Sequence, residues 1–255
     1  KNDYNNNILP KDLLLPNNKK VHYVMKFKYL GSIITPLLNE DIKVQTRITK
    51  AKSIMGASKH FFDNKDVDKR IKAQIYIAGA LNALLWGCET WNLTKLNLNK
   101  FMAFHHSAMR RILGIKWDQV REKHIKNKEV RGILCNIPNI DAFIIKRTAV
   151  YLGKISRSNN NTYPKKFLAA WITGKRKNSA PQLTCNNNFV NSIQKILPPE
   201  KILSKKQALL REWIPLAKDE NNWLTYIDAY FESCRNTDYE DPNNDTSGDD
   251  DPDPT

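Results

Sequence analysis

Apolar and polar positions change period several times along this chain, and each change marks an element. Residues 1–20 are rich in Asn, Pro and Lys and carry no apolar period, which predicts a disordered arm. The run VHYVMKFKYLGSIIT that follows is β-branched and aromatic. It sets Val24, Lys26, Lys28 and Leu30 against Met25, Phe27 and Tyr29, with Gly31 interrupting, and predicts a strand or a tight strand pair bent at Gly31.

From Asn39 the period is helical. Val44, Ile48, Ala51, Met55, Ser58 and Phe62 recur at steps of four and three, with Asn39 placed to cap. Lys43, Arg47 and Lys50 form a basic strip beside that apolar one. After a turn at 63–65 a second helix is expected over 66–86, and its half IYIAGALNALLW is apolar all round, the mark of a buried element. WGCETWNL is too short for a helix and reads as an extended link. Thr94 then caps a third helix with Phe101, His105, Ala108 and Ile112 on one face, Arg110 and Arg111 in the last turn, and Gly114 as the stop. One or two short helices fill 116–137. A fourth clear helix covers 139–157, with Ile144, Thr148, Tyr151 and Ile155 inward. Short helical stretches at 167–173, 189–196 and 205–214 follow, the last opened by a Ser204–Gln207 capping box. A final amphipathic helix carries Trp223, Tyr226, Ile227 and Tyr230.

The sum is a mainly α protein: a helical bundle with a small β-strand or hairpin element near the N-terminus and a disordered acidic tail. Its expected divisions are the arm (1–20), the β segment with a helical domain (21–157), a linker (158–166), a C-terminal helical extension (167–235) and the tail (236–255).

Charge narrows the function. Lys and Arg number 41 against 26 Asp and Glu, a net charge of +15, yet eight of the acids follow Arg235, the last basic residue. Residues 1–235 therefore carry +23 and the tail −8. A body that basic needs a polyanion, an acidic surface or its own tail to offset self-repulsion, and nucleic acid is the commonest such partner. The apolar run 75–87 spans thirteen residues and contains Asn82, too short for the ~20 of a membrane helix, so no membrane partner is expected. No secretory apolar segment opens the sequence, which points to the nucleus or cytoplasm rather than secretion. The four cysteines lie tens of residues apart with no CxxC, against a zinc ribbon or a disulfide scaffold.

Catalytic candidates are lacking. Glu40-Asp41 and Asp219-Glu220 stand at expected helix starts, where carboxylates complement the dipole, and the remaining acidic runs lie in the tail. His105 and His106 are adjacent, so on a helix they point about 100° apart rather than at one ion; one is expected in the core and the other in solvent. No phosphate loop or recognisable nucleophile context occurs. The positive signal is basic residues interleaved with aromatics. Lys26, Lys28 and Tyr29 mark the β segment, Lys43, Arg47 and Lys50 the first helix, and Lys146, Arg147, Lys154 and Arg157 the fourth. Lys175, Arg176 and Lys177 form a loop cluster. Such strips grip phosphates without regard to sequence.

Several segments together resemble the reverse transcriptases of non-LTR retrotransposons. FKYLGSIIT is similar to the β-hairpin that follows the catalytic palm in that family and grips the primer end. DIKVQTRITKAKS resembles its first thumb helix, and KAQIYIAGALNALLWGCETWNL a helix that ends in a "YGCETW" pattern. FHHSAMRRILGIKW, IKNKEV, Pro138 and KRTAVYLGKISR follow in the family's order, and GKRKNSAP looks like a decayed Gly-Arg-Pro segment. The likeness spans roughly residues 27–223.

It implies that Phe27, Lys28, Tyr29 and Gly31 position a primer terminus and that Lys43, Arg47 and Lys50 track the template–primer backbone. Arg110, Arg111, Lys146, Arg147, Lys175, Arg176 and Lys177 are the further nucleic-acid-binding candidates. The family's palm carboxylates have no counterpart in the 26 residues before Phe27. The expectation is therefore a reverse-transcriptase fragment that binds template–primer and is inactive alone. No catalytic residue, metal site or cofactor is assigned; Mg²⁺ would serve only a complete enzyme with its palm. The alternative is a repurposed basic helical module that binds nucleic acid or protein, with the acidic tail as competitor or partner.

Overall fold

The computed structural model describes residues 12–29, 31–35, 40–91, 93–169, 185–201 and 213–236. Among them the protein is mainly α, with two short antiparallel strand pairs near the N-terminus. β1 (Leu13–Leu14) pairs with β2 (Lys20–Val21), so part of the segment expected as an arm is a small hairpin. Its turn is closed by the Leu15 N–H on the Lys19 carbonyl (2.9 Å). β3 (Phe27–Tyr29) pairs with β4 (Ser32–Ile34), with Phe27 opposite Ile34 and Tyr29 opposite Ser32. Gly31 turns the chain with φ +81°, a conformation that L side chains resist, and the expected bend is there.

Helix α1 (Asp41–Ala57) buries Val44, Ile48, Ala51 and Met55, the stripe read from the sequence. It ends at Ser58, and α2 (Lys59–Asp63) turns Phe62 inward. α3 (Lys69–Tyr76) starts where the Asp68 carboxylate accepts the Arg70 N–H (2.6 Å). It continues through a π-helical turn, Ile77–Leu81, into α4 (Asn82–Leu84). The expected second helix therefore exists, but it is not buried all round. Tyr76, Ala80, Leu81 and Leu84 are inside, whereas Ile71, Ile75 and Trp86 stay exposed. The expected extended link is instead a compact turn: Gly87 adopts φ +77° and Cys88–Thr90 form one 3-10 turn. That turn delivers Cys88 and Trp91 to the core, where Trp91 stacks on Phe101 at 5.3 Å.

α5 (Lys95–Leu113) opens with the Thr94 hydroxyl accepting the Asn97 N–H (3.2 Å) and closes at Gly114 (φ +68°). Phe101, His105, Ala108 and Ile112 are buried as expected. α6 (Trp117–Glu122) and α7 (Asn127–Ile133) are the short helices that follow. α8 (Ile140–Arg157) begins at the Asn139 cap. α9 (Tyr163–Ala169) starts within the segment read as a linker; α10 (Cys185–Ile196), α11 (Trp213–Lys218) and α12 (Glu220–Asn236) complete the chain. The stretches expected at 170–173 and 205–212, the capping box at Ser204 and the tail from 237 lie outside the described residues. Asp41 stands in the first turn of α1, and Asp219 accepts the Asn222 N–H (3.1 Å) at the start of α12, so these acidic runs do serve helix ends.

The core has two parts that meet on α8. One gathers apolar side chains of α1 to α5 and α7 with Ile140, Ala142 and Phe143. The other packs Ile145, Ala149 and Leu152 against Ile193, Ile196, Leu197, Trp213, Ala217, Trp223 and Ile227. Phe231 of α12 belongs to the first part and meets Phe143 edge-on at 5.1 Å, binding the two together. Contact is closest at Gly153, where even a Cβ would sit 2.6 Å from the Trp223 indole nitrogen. That indole N–H donates to the Ala149 carbonyl (2.9 Å).

A buried polar chain crosses the first part of the core. His105 Nε2 lies 3.2 Å from the Pro138 carbonyl, which can only accept, so Nε2 carries the proton. Nδ1 is then the acceptor for the Tyr76 hydroxyl at 2.7 Å. Three elements are tied by one neutral imidazole. His106, expected in solvent, is also buried, because α5 is packed by α1, α7 and α8. Its Nε2 has no hydrogen-bond partner among the described residues.

Burial pushes His105 down to about 4, and burial with the neighbouring His105 and arginines holds His106 well below the usual imidazole range. Both are neutral when folded and protonate first in the unfolded chain, so acid favours unfolding between the two pKa values. Stability should fall from pH 6.5 toward pH 4, with about 2 kcal/mol lost by pH 5 through His105 alone. Urea unfolding at pH 7 and pH 5 measures this. His105→Gln should be weaker at pH 7 but flatter with pH, and an equal pH dependence in both chains would contradict the assignment.

Candidate nucleic-acid interface

The N-terminal hairpin presents a side-chain set of unusual character. Phe27, Tyr29 and Ile34 are all exposed and share one face through the strand register. The Phe27 and Tyr29 rings stack on each other, 6.3 Å apart and inclined by 21°. Lys28, between them in β3, is exposed on the opposite face, and Lys26 is exposed just before the strand. A strand with stacked aromatic rings on one face and an ammonium group on the other can stack bases or sugars while its long cationic side chains reach round to phosphates.

The hairpin is held from behind by an arginine. Arg47 of α1 is 3% exposed, and its Nη2 donates to the Gly31 carbonyl at 2.7 Å. Gly31 lies between that guanidinium and the Trp86 indole, so the strand turn is seated against two helices. Burial lowers the guanidinium's pKa from its ordinary value. Arg47 therefore leaves the basic strip expected on α1, because its helical position falls beside Val44 and Ile48 on the buried side. Lys43 is half-buried and pairs with Glu40 (2.7 Å), while Lys50 is exposed. Of the three, Lys50 alone presents an ammonium group directly to solvent.

The other candidates divide in the same way. Arg110 donates to Asn127 Oδ1 (3.0 Å) and lies 4.8 Å from the centre of the Trp117 ring, which Arg121 also approaches at 6.0 Å. Arg111 points to solvent. Lys146 pairs with Asp228 (2.9 Å) and covers the Phe231 ring at 4.4 Å. Arg147 donates to the Leu85 carbonyl (3.2 Å) and Asn82 Oδ1 (2.5 Å), holding the helix end before Gly87. Arg157 holds the Ala217 carbonyl (2.9 Å) and Glu220 (2.9 Å). Lys175, Arg176 and Lys177 lie outside the described residues. Phe27, Lys28, Tyr29, Gly31 and Arg47 are thus brought together at one junction; Arg110 belongs to the Trp117 cluster, and Lys146 and Arg147 to the α8 face.

Cys88 is buried, and burial together with Glu89 pushes its thiol up to about 12, far from a reactive thiolate. No group of three His, Cys, Asp or Glu side chains among the described residues could hold an ion. Among the described residues no helix is long and apolar enough to cross a membrane.

If Arg47 clamps the hairpin, Arg47→Met should cost about 1.5–3 kcal/mol, since it removes a charge-assisted bond to a carbonyl left without that donor. Proteolysis within residues 27–34 should accelerate. Lys50→Ala, at an exposed position, should stay within about 0.5 kcal/mol of the parent chain. Urea unfolding of both variants decides it, and equal small effects would remove Arg47 from this role.

No protein-family model matches the chain, and no solved structure does. A Caenorhabditis elegans protein named as an uncharacterized transposon-derived protein is 23% identical over 204 residues, covering 80% of this chain and 70% of that one. This likeness supports an origin in a transposable element.

Proposed function

We propose that the chain is a template–primer-binding part of a retrotransposon-type reverse transcriptase lineage, built from a primer-grip-like hairpin, a helical thumb and a C-terminal helical extension. The observation that carries the reading is the hairpin: stacked Phe27 and Tyr29 exposed, Lys28 exposed on the other face of the strand with Lys26 just before it, and Arg47 anchoring the turn from α1. The order of the resembling segments and the transposon-derived relative support the same reading. In it the hairpin rings rest against the terminal nucleotides while Lys26, Lys28 and Lys50 neutralise backbone phosphates. In this reading the chain binds without catalysing.

A protein-binding module is the second reading, and one observation favours it. Leu13, Leu14, Val21, Tyr23 and Val24 are exposed along the first strand pair and the segment after it, an apolar run of the kind that marks contact with another protein.

A salt titration separates the two. Each phosphate contact contributes about 0.9 to the slope of log affinity against log salt for a duplex. Lys26→Ala with Lys28→Ala should lower the slope by up to about 1.8, at unchanged helix content. A primer–template duplex bound with the parent slope, or not bound at all, would leave the protein-binding reading.

A further inference from the structure

Helices α8 and α12 do not close on each other along their full length. With the π-helical turn and the 3-10 turn they bound a cleft of about 440 Å³, within the range of small-ligand sites. α8 lines it at positions four apart, with Lys146 and Lys154 along one row and Arg147 and Tyr151 along the next. α12 contributes Phe231 and Arg235. Glu89 is the single carboxylate among the lining residues, so four cations face one anion.

The cations are not equivalent. Lys146 and Arg147 are engaged with Asp228 and with the Leu85 carbonyl and Asn82. Lys154 is exposed and has no partner among the described residues. Arg235 has a side chain 41% exposed, lies 3.6 Å from Glu232 and flanks the Phe231 ring at 5.5 Å. Two charges therefore stand ready at the rim of a cleft whose wall includes the half-buried Tyr151 ring.

We propose that this cleft binds a segment of single-stranded nucleic acid, with phosphates on Lys154 and Arg235 and a base against Tyr151. The proposal rests on the nucleic-acid reading above and names the strand form it takes. A volume of this size admits a base and its sugar, whereas a duplex hides its base faces in the stack. From Lys146 to Lys154 α8 rises about 12 Å, so the rim can follow up to about three phosphates of one strand. The competing occupant is the acidic tail, which follows α12 directly after Arg235 and carries eight carboxylates but one aromatic, Tyr239. An aromatic wall has more to offer a series of bases than a series of carboxylates.

The test is fluorescence anisotropy of the full chain with a labelled oligothymidylate and with a duplex of equal length. Lys154→Gln with Arg235→Gln should lower the single-strand salt slope by about 1.4 and weaken binding roughly tenfold, with duplex binding changed less than about twofold. Tyr151→Leu should weaken single-strand binding about fivefold or more at an unchanged slope. Circular dichroism and melting confirm that each variant is folded. Single-strand affinity unchanged in both variants overturns the cleft; if Lys26→Ala with Lys28→Ala still weakens binding, the broader reading survives that failure. Wild-type chain that binds neither strand form ends both. With the eight tail acids changed to Asn or Gln, dependence on Tyr151, Lys154 and Arg235 should persist. If it vanishes, the tail is the occupant and the proposal falls.

Discussion

The residues of α8, Ile140–Arg157, have to satisfy two sets of partners at once, and the arrangement of the chain follows from that. Its first turn closes the core built by α1 to α5, and its middle receives Trp223, Ile193 and Ala217 from the C-terminal helices. Small residues at Ala149 and Gly153 permit the second approach, since the Trp223 indole occupies the space a side chain would take. A helix so thoroughly covered keeps only one strip for polar side chains. Lys146, Arg147 and Lys154 fall on it. The location of the basic cleft is thus a consequence of packing.

Five cationic side chains hold backbone carbonyls. Arg47 donates to Gly31, Lys72 to Phe62 (2.7 Å), Arg147 to Leu85, Arg157 to Ala217, and Lys165 to Ser156 and Ser158 (2.7 Å each). Tight turns and helix ends leave carbonyls without intrahelical donors, and a long cationic side chain can reach them while its stem packs on apolar surface. Net charge therefore does not by itself count the cations available to a partner. Among the sequence-read candidates, Lys26, Lys28, Lys50, Arg111 and Lys154 are exposed.

Local features were legible because they depend on neighbours in sequence. The helix over Lys95–Leu113, its Thr94 and Gly114 ends, the Asn139 cap and the bend at Gly31 are written in short-range chemistry. Features set by distant partners were not. Arg47 and Lys50 look alike in a basic strip, and only the turn at Gly31, sixteen residues upstream of Arg47, makes one of them internal. The apolar period of 75–86 predicts burial but cannot say that Ile75 and Trp86 would lack a cover. His106 was expected outside because one face of an amphipathic helix is ordinarily wet, yet α5 is packed by α1, α7 and α8. Arg235 is the last basic residue before an acidic run, and its place at the cleft exists only once α12 returns to α8. Its spacing of four from Phe231 was the one available signal.

The hairpin and the cleft offer the same combination, an aromatic surface beside cations not consumed by the fold, and that combination is the central claim. It is tested most directly by where nucleic acid touches the chain. Photocrosslinking of the full chain to an oligonucleotide bearing a photoreactive pyrimidine, followed by mass spectrometric location of the adducts, reads this out. Adducts are expected on Phe27 or Tyr29 and on Tyr151, suppressed by unlabelled competitor. Competitor-sensitive adducts confined to other exposed aromatics, such as Trp117 or Tyr163, would contradict it.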